Sequence, residues 1–183
     1  MIRSAKHGVP DLRTTVLAAW RTNDRVTTDL VRAVPLKLWR AKVPGEPQRT
    51  VGSIAAHFHN SRRNWIRTLG APLGVAVPRR VDHRTVSRRE LATALHTSGR
   101  GIAALLELGI EAGGAVPPTP AYTWRNLPLD VGHVLAYFVA HEAHHRGQIV
   151  LIARQLGQRL PRAATDGLWQ WSSIVRVLST SKR

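Results

Sequence analysis

Apolar residues recur along most of this chain at spacings of three and four, the period of an amphipathic α-helix. Four long segments show the pattern, at about Asp11–Val34, Thr50–Leu69, Ser87–Ile110 and Leu129–Leu156. A shorter apolar segment, at about Thr165–Leu178, predicts one more helix. Because no segment shows a convincing strand pattern, the sequence predicts an all-α fold, a four-helix bundle with an additional C-terminal helix.

Proline and glycine divide the helical segments. Leu36–Arg49 and Gly70–Thr85 read as connectors, and Glu111–Pro128 is a long connection that contains four prolines. Loops of that length are typically functional or partly disordered. Tyr122 and Trp124 within it indicate that it packs on the bundle, over the mouth of a site.

The fourth long segment carries two histidines in its apolar stripe. His141 and His145 lie one turn apart, after Phe138 and before Ile149. Each nitrogen of a buried imidazole needs a partner, and histidines at i and i+4 can both bind one metal ion. The alternative is a buried pair hydrogen-bonded to each other and to backbone. His144 falls away from the stripe, and we expect it at the surface or behind a ligand ring.

The second helical segment offers a third imidazole. His57 and His59 flank its apolar stripe on opposite sides, at roughly 90° and 110° from the stripe centre on an ideal helix. Periodicity alone therefore favours His57 over His59 only slightly. Three imidazoles from two helices would form a facial set with a coordination position left for water or substrate.

Composition limits the chemistry. The chain has 183 residues and 43% hydrophobic residues, which predicts a single domain over residues 1–183 with a core at about residues 11–160. It has no cysteine, so any metal would be held by histidine and carboxylate groups. The first eight residues lack the apolar region of a signal peptide, and no apolar run is long enough to span a membrane. We therefore expect a cytoplasmic protein with no membrane partner.

The net charge of +16 favours association with polyanions. The arginines are nevertheless dispersed, and their densest groups are the pairs Arg62-Arg63, Arg79-Arg80 and Arg88-Arg89. There is no basic tail and no aromatic RNA-binding motif, so we do not expect nucleic acid to be the main partner.

The segment His141-Glu142-Ala143-His144-His145-Arg146-Gly147-Gln148 resembles the H-x-x-x-H-R-G-Q signature of the DinB/YfiT-like four-helix bundle family. The segment from Ile54 to Arg62 is similar to the first-ligand motif of that family. The order of helices agrees over nearly the whole chain. The resemblance implies a divalent ion, zinc or nickel, held by His57, His141 and His145, and it implies a homodimer.

Characterised proteins similar to this one include S-transferases that use a low-molecular-weight thiol and thiol-dependent isomerases. The resemblance therefore implies a metal-dependent transferase in which the ion binds the sulfur of the cosubstrate as thiolate and an electrophile accepts it. Two other classes stay open. One is a non-enzymatic bundle with a structural metal, and the other is a basic stress-related protein that binds nucleic acid.

Residues beside the candidate ligands have several interpretations. Glu142 is a candidate general base, a partner for a ligand ring, or half of a surface ion pair with Arg146 at i+4. Gln148 is a candidate donor to metal-bound water. Arg62 is a candidate for binding the carboxylates of a thiol cosubstrate, but we favour a surface charge. We expect Gly147 to permit a close helix contact.

Overall fold

The computed structural model describes the backbone of residues 11–180 and the side chains of residues 11–176. The bundle consists of α1 (Leu12–Ala33), α3 (Val51–Trp65), α4 (Arg88–Glu111) and α5 (Val131–Gln155). A short helix α2 (Leu36–Trp39) and a hairpin of β1 (Lys42–Val43) and β2 (Glu46–Thr50) connect α1 to α3. Helices α6 (Arg162–Gly167) and α7 (Trp171–Thr180) follow α5. The predicted all-α bundle is confirmed.

Two details of the predicted elements were wrong. The segment after α2, expected to be a connector without strands, contains the hairpin. Its strand β1 has only two residues, too few to show the alternation of apolar and polar residues that marks a strand in the sequence. Gly45 has φ 78° in its turn, a conformation that glycine adopts without strain. The C-terminal segment forms two helices instead of one, and Gly167 ends the first of them. The extreme N-terminal residues, on which the signal-peptide expectation rested, lie outside the described residues.

None of the helices in the described part of the chain combines the length and the hydropathy needed to cross a bilayer.

The long helices begin at side-chain caps that the sequence indicates. Thr50 accepts a hydrogen bond from the Ser53 backbone N–H at 3.1 Å, and Asp130 accepts one from the His133 backbone N–H at 3.0 Å. Ser87 and Glu90 form a capping box at the start of α4. Each cap stabilises its helix by about 1 kcal/mol. Each residue turns a helix by about 100°. The residue at which a helix begins therefore determines which side chains face the site.

Helix α4 approaches its neighbours closely at two glycines. A Cβ atom on Gly99 would lie 2.7 Å from the Asp24 carboxylate, and one on Gly101 would lie 2.5 Å from the Ile66 side chain. The Trp20 indole also donates a hydrogen bond of 2.8 Å to the Gly99 carbonyl. The helices are therefore packed closely at these glycines, and Asp24 of α1 lies directly against α4.

The innermost row of α5 differs from the predicted stripe. Glu142 and Arg146 are buried at the middle of the bundle, whereas His141 and His145 are only partly buried. A rotation of one residue, about 100°, separates the two rows. The histidines therefore lie at the edge of the helix interface and face outward from the core.

The charged core is centred on Arg62, which is 1% exposed. Its Nε and second terminal nitrogen donate to the two carboxylate oxygens of Glu142 at 2.6 and 2.9 Å. Its other terminal nitrogen donates to Asp24 at 2.5 Å and to the Leu95 carbonyl at 3.2 Å. Burial alone lowers the pKa of Arg62, but the charges of Glu142 and Asp24 outweigh this effect and raise it. The interpretation of Arg62 as a surface charge was wrong.

Polar residues of α1 complete this network. The Glu142 carboxylate also accepts hydrogen bonds from Asn23 at 2.9 Å and from Thr27 at 2.7 Å. Arg146 donates to the Asn23 amide oxygen at 2.9 Å and to the Thr27 hydroxyl oxygen at 2.7 Å. Every buried side-chain nitrogen and oxygen among the described residues has a hydrogen-bond partner. Buried charge is tolerated here because both signs are present and fully hydrogen-bonded.

We expect Arg62→Met to lower the free energy of unfolding by about 3–5 kcal/mol, because the buried Glu142 carboxylate and the partly buried Asp24 carboxylate lose their shared counter-charge. Urea denaturation of the metal-free protein measures the change. Arg25→Met is the control, since Arg25 forms an exposed ion pair with Asp29, and there we expect a loss of about 1 kcal/mol or less. Equal losses in the two variants would contradict a structural role for the Arg62 network.

Candidate metal centre

Three imidazoles converge between α3 and α5. One ring nitrogen from each of His57, His141 and His145 lies within 4.8 Å of the others. The Nε2 atoms of His57 and His141 are 3.1 Å apart. The His145 ring lies edge-on to both, at centroid distances of 4.7 Å. The structure thus brings together the three histidines that the family resemblance implies as ligands, in a group that could hold a metal ion.

The spacing of the ring nitrogens fits coordination of a first-row divalent ion. With metal–nitrogen bonds of about 2.1 Å, neighbouring ligand atoms lie about 3.4 Å apart in a tetrahedral site and about 3.0 Å apart in an octahedral one. The 3.1 Å between His57 and His141 falls between these values. A hydrogen bond between two neutral rings has a similar length, but a nitrogen of the third ring, that of His145, also lies within 4.8 Å of both.

Hydrogen bonds decide between His57 and His59, which periodicity left nearly equal. His59 is fully buried, and its Nε2 lies 2.8 Å from the Arg79 carbonyl. Its Nδ1 lies 3.0 Å from the Ala94 carbonyl and 3.1 Å from the Ser98 hydroxyl. His59 therefore joins α3 to α4 and to the loop before α4, while His57 is exposed and faces α5.

Gln148 orients one of the candidate ligands. Its amide oxygen lies 2.8 Å from His145 Nδ1, which therefore carries the proton and leaves Nε2 with a free lone pair. Its amide nitrogen lies 3.0 Å from Nε2 of His144. Gln148 is thus beside the site, as the sequence predicts, but its amide is bonded to two rings. A contact with metal-bound water stays a prediction.

The electrostatic surroundings favour neutral imidazoles, the form that binds metal. Burial and the neighbouring His145 and His57 rings lower the pKa of His141 to about 4. Burial is also the main cause of the lowered pKa of His57, with smaller contributions from His145 and Arg49. Burial lowers the pKa of His145 too, and the hydrogen bond that its Nδ1 donates to Gln148 opposes the shift.

Glu142 points away from these rings and into the core. Its two oxygens accept hydrogen bonds from Arg62, Asn23 and Thr27, so the geometry favours a structural role over that of a general base. The Glu142 oxygen nearest to Arg146 is 3.7 Å from its guanidinium. This pair is buried, whereas the sequence interpretation placed it on the surface. Gly147 has open space where a Cβ would stand, so the predicted close helix contact at Gly147 was wrong.

Aromatic side chains form one flank of the site. Tyr137 stacks on His141 with a centroid distance of 5.7 Å and an interplanar angle of 14°. Trp65 contacts Tyr137 at 5.2 Å and also packs against Trp124 and Tyr122 of the long connector, at 5.5 and 6.0 Å. The predicted packing of this connector beside the site is therefore observed. A cleft of about 270 Å³ opens there, lined by Ser61, Asn64, Trp65, Thr68, Ala121, Tyr122, Thr123 and Trp124.

A basic cleft of about 570 Å³ adjoins His57 on another side. Four arginines contribute to it, from the end of the hairpin, from α3 and the π-helical turn Ile66–Gly70 that continues it, and from the loop before α4. Sequence patterns missed this group because its members belong to three separate segments. The lining residues are Gln48, Arg49, Ser53, His57, Asn60, Ser61, Arg63, Asn64, Arg67, Arg80 and His83.

Comparison with known families and proteins identifies the relationship of the chain. The sequence model of the DinB family matches residues 1–174, nearly the whole chain. The search of curated proteins found no match.

We expect His57→Ala and His59→Ala to have opposite effects. His57→Ala should remove metal binding and change stability little, because the ring is exposed. His59→Ala should keep the metal but lower the free energy of unfolding by about 1–3 kcal/mol, since it removes a buried ring and its hydrogen bonds to the segments around it. Elemental analysis after loading with zinc or nickel, together with urea denaturation of the metal-free forms, measures both. Retention of metal by His57→Ala would contradict the assignment.

Metal affinity should persist to lower pH than it would with ordinary histidines. Three imidazoles of pKa about 6.5 would lose roughly 1000-fold in affinity between pH 7.5 and 5.5, because all three must be deprotonated. With the pKa of His141 at about 4 and the other two lowered, protonation at pH 5.5 is less complete, and we expect a loss smaller than about 100-fold. Competition titrations with a metal indicator measure the ratio, and a full 1000-fold loss would contradict the expectation.

Proposed function

The chain belongs to the DinB family, and on this premise we propose that it is a metal-dependent transferase that activates a low-molecular-weight thiol at the three-histidine site. The observation that carries the proposal is the convergence of His57, His141 and His145 at a point reached from solvent. Zinc or nickel is the proposed ion, because imidazole nitrogen suits both.

The chain supplies three neutral nitrogen donors and holds them in place. Gln148 sets the tautomer of His145, and Tyr137 restricts the His141 ring by stacking on it. A divalent ion bound there would act as a Lewis acid and lower the pKa of a coordinated thiol. Because the chain has no cysteine, the thiol comes from a cosubstrate. Three protein donors leave a coordination position for it.

We propose that the electrophile binds in the aromatic cleft. Trp65, Trp124 and Tyr122 present apolar faces there, and Tyr137 continues them to His141. A flat or apolar acceptor bound on these faces would lie beside the thiolate. Ser61 and Asn64 line both clefts, so the two substrates would meet along the same side of α3.

The alternatives fit the structure less well. A structural metal requires a closed set of ligands, whereas the metal-ligating group found among the described residues contains three histidines and no fourth ligand. A nucleic-acid surface would collect the paired arginines on one face. Instead Arg62 is buried, Arg63 and Arg80 line the cleft at His57, and Arg88 and Arg89 line a different cleft. The homodimer implied by the family resemblance stays a prediction.

The proposal is tested with untagged protein that is stripped of metal and reloaded with zinc or nickel. We expect about one ion per chain and metal-dependent conjugation of a low-molecular-weight thiol to chlorodinitrobenzene, followed by absorbance across a panel of thiols. His141→Ala/His145→Ala should lose both properties. His133→Ala is the control, because it removes an exposed imidazole from the same helix. Wild-type protein that binds no ion, or a conjugation rate unchanged by metal removal, would contradict the proposal.

A further inference from the structure

We propose that the basic cleft beside His57 binds the carboxylate or phosphate group of a small-molecule ligand whose other end reaches the three-histidine site. The proposal deepens the transferase function above and rests on it, because it specifies the chemical class of the thiol cosubstrate as anionic.

The lining of the cleft has a strong excess of positive charge. Arg49, Arg63, Arg67 and Arg80 contribute four cations, and no aspartate or glutamate lines the cleft. Arg49 alone among the four forms an ion pair in the described part of the chain, at 2.9 Å to the exposed Glu46. The remaining lining side chains are neutral hydrogen-bonding groups and histidines. Such a concave surface attracts an anion and offers several donors to it.

The arginines keep donors available for a ligand. Arg63 donates from Nε to the Pro78 carbonyl at 3.1 Å, which holds its guanidinium in place, and its terminal nitrogens have only a 3.5 Å contact with Asn64. Arg67 and Arg80 are exposed and form no ion pair with the residues that the structure describes. The planar fork of a guanidinium matches both carboxylate and phosphate oxygens.

The cleft is continuous with the candidate metal centre, because His57 belongs to both. His57, Asn64 and Arg67 follow one face of α3 and its continuation at helical spacing. The ten residues from His57 to Arg67 correspond to about 15 Å along the helix axis. A ligand that spans this distance needs a metal-binding group at one end and an anionic group at the other.

The shape of the cleft favours a small molecule over a polymer. Its volume of about 570 Å³ lies within the range of ordinary small-molecule sites, about 300–1000 Å³. A nucleic-acid backbone would instead require an extended row of cations, and the paired arginines of the chain are divided between separate clefts and the core.

The test uses the metal-free full chain, so that no probe can bind through the ion. Tricarballylate serves as the carboxylate probe and pyrophosphate as the phosphate probe, each titrated calorimetrically at low ionic strength. We expect Arg67→Ala/Arg80→Ala to weaken binding of the preferred probe at least 10-fold. Arg154→Ala/Arg159→Ala is the matched control, since it removes two exposed arginines outside the cleft and changes the net charge equally.

The control should retain the wild-type affinity within twofold. The probe that binds more tightly identifies the anionic group as carboxylate or phosphate. The proposal is overturned if neither probe binds, if both double variants lose affinity equally, or if only a ten-nucleotide single-stranded DNA binds.

Failure of this proposal is distinguishable from failure of the proposed function. Cleft-dependent anion binding in a protein that takes up no metal would overturn the transferase function and leave the cleft assignment intact. Metal-dependent thiol conjugation without cleft-dependent anion binding would overturn the cleft assignment alone.

Discussion

The architecture depends on the buried ion pair between Arg62 of α3 and Glu142 of α5. Through Asp24 and the Leu95 carbonyl, the same guanidinium also contacts α1 and α4. A buried charge without its partner costs several kcal/mol, so a rotation or a shift of α3 against α5 is strongly disfavoured. His141 directly precedes Glu142 in the sequence, and His57 lies on the same helix as Arg62. The pair therefore determines how the two halves of the histidine site face each other.

Helix α5 carries two adjacent rows with different roles. Glu142 and Arg146 form the inner row, which is buried and hydrogen-bonded to α1. His141 and His145 form the outer row, which is partly buried and turned toward His57. This arrangement gives a physical meaning to the arginine that follows the second histidine in the family signature. That arginine, Arg146, joins α5 to α1, while the histidines beside it belong to the group that could hold a metal ion.

The surroundings of the three histidines are asymmetric. Aromatic faces extend from His141 through Tyr137 to Trp65, whereas arginines extend from His57 along α3. In the transferase function that we propose, an apolar acceptor and a charged cosubstrate would thus approach from chemically distinct sides. A charged ligand group rarely binds on an apolar surface, because removing an unpaired charge from water is costly.

The sequence by itself determined the helices, their caps, the family and the three histidines. These features depend on local periodicity, on capping residues near Thr50 and Ser87, and on a signature contained in one helix. Only the tertiary structure decided that Arg62 is buried, that His59 is hydrogen-bonded in the core and away from the metal centre, and that arginines from three segments share one cleft. Each of these features depends on contacts with residues that are distant in the chain. Arg62 is paired with Glu142, and His59 is hydrogen-bonded to the Arg79 carbonyl. A pattern within one helix carries no information about such partners.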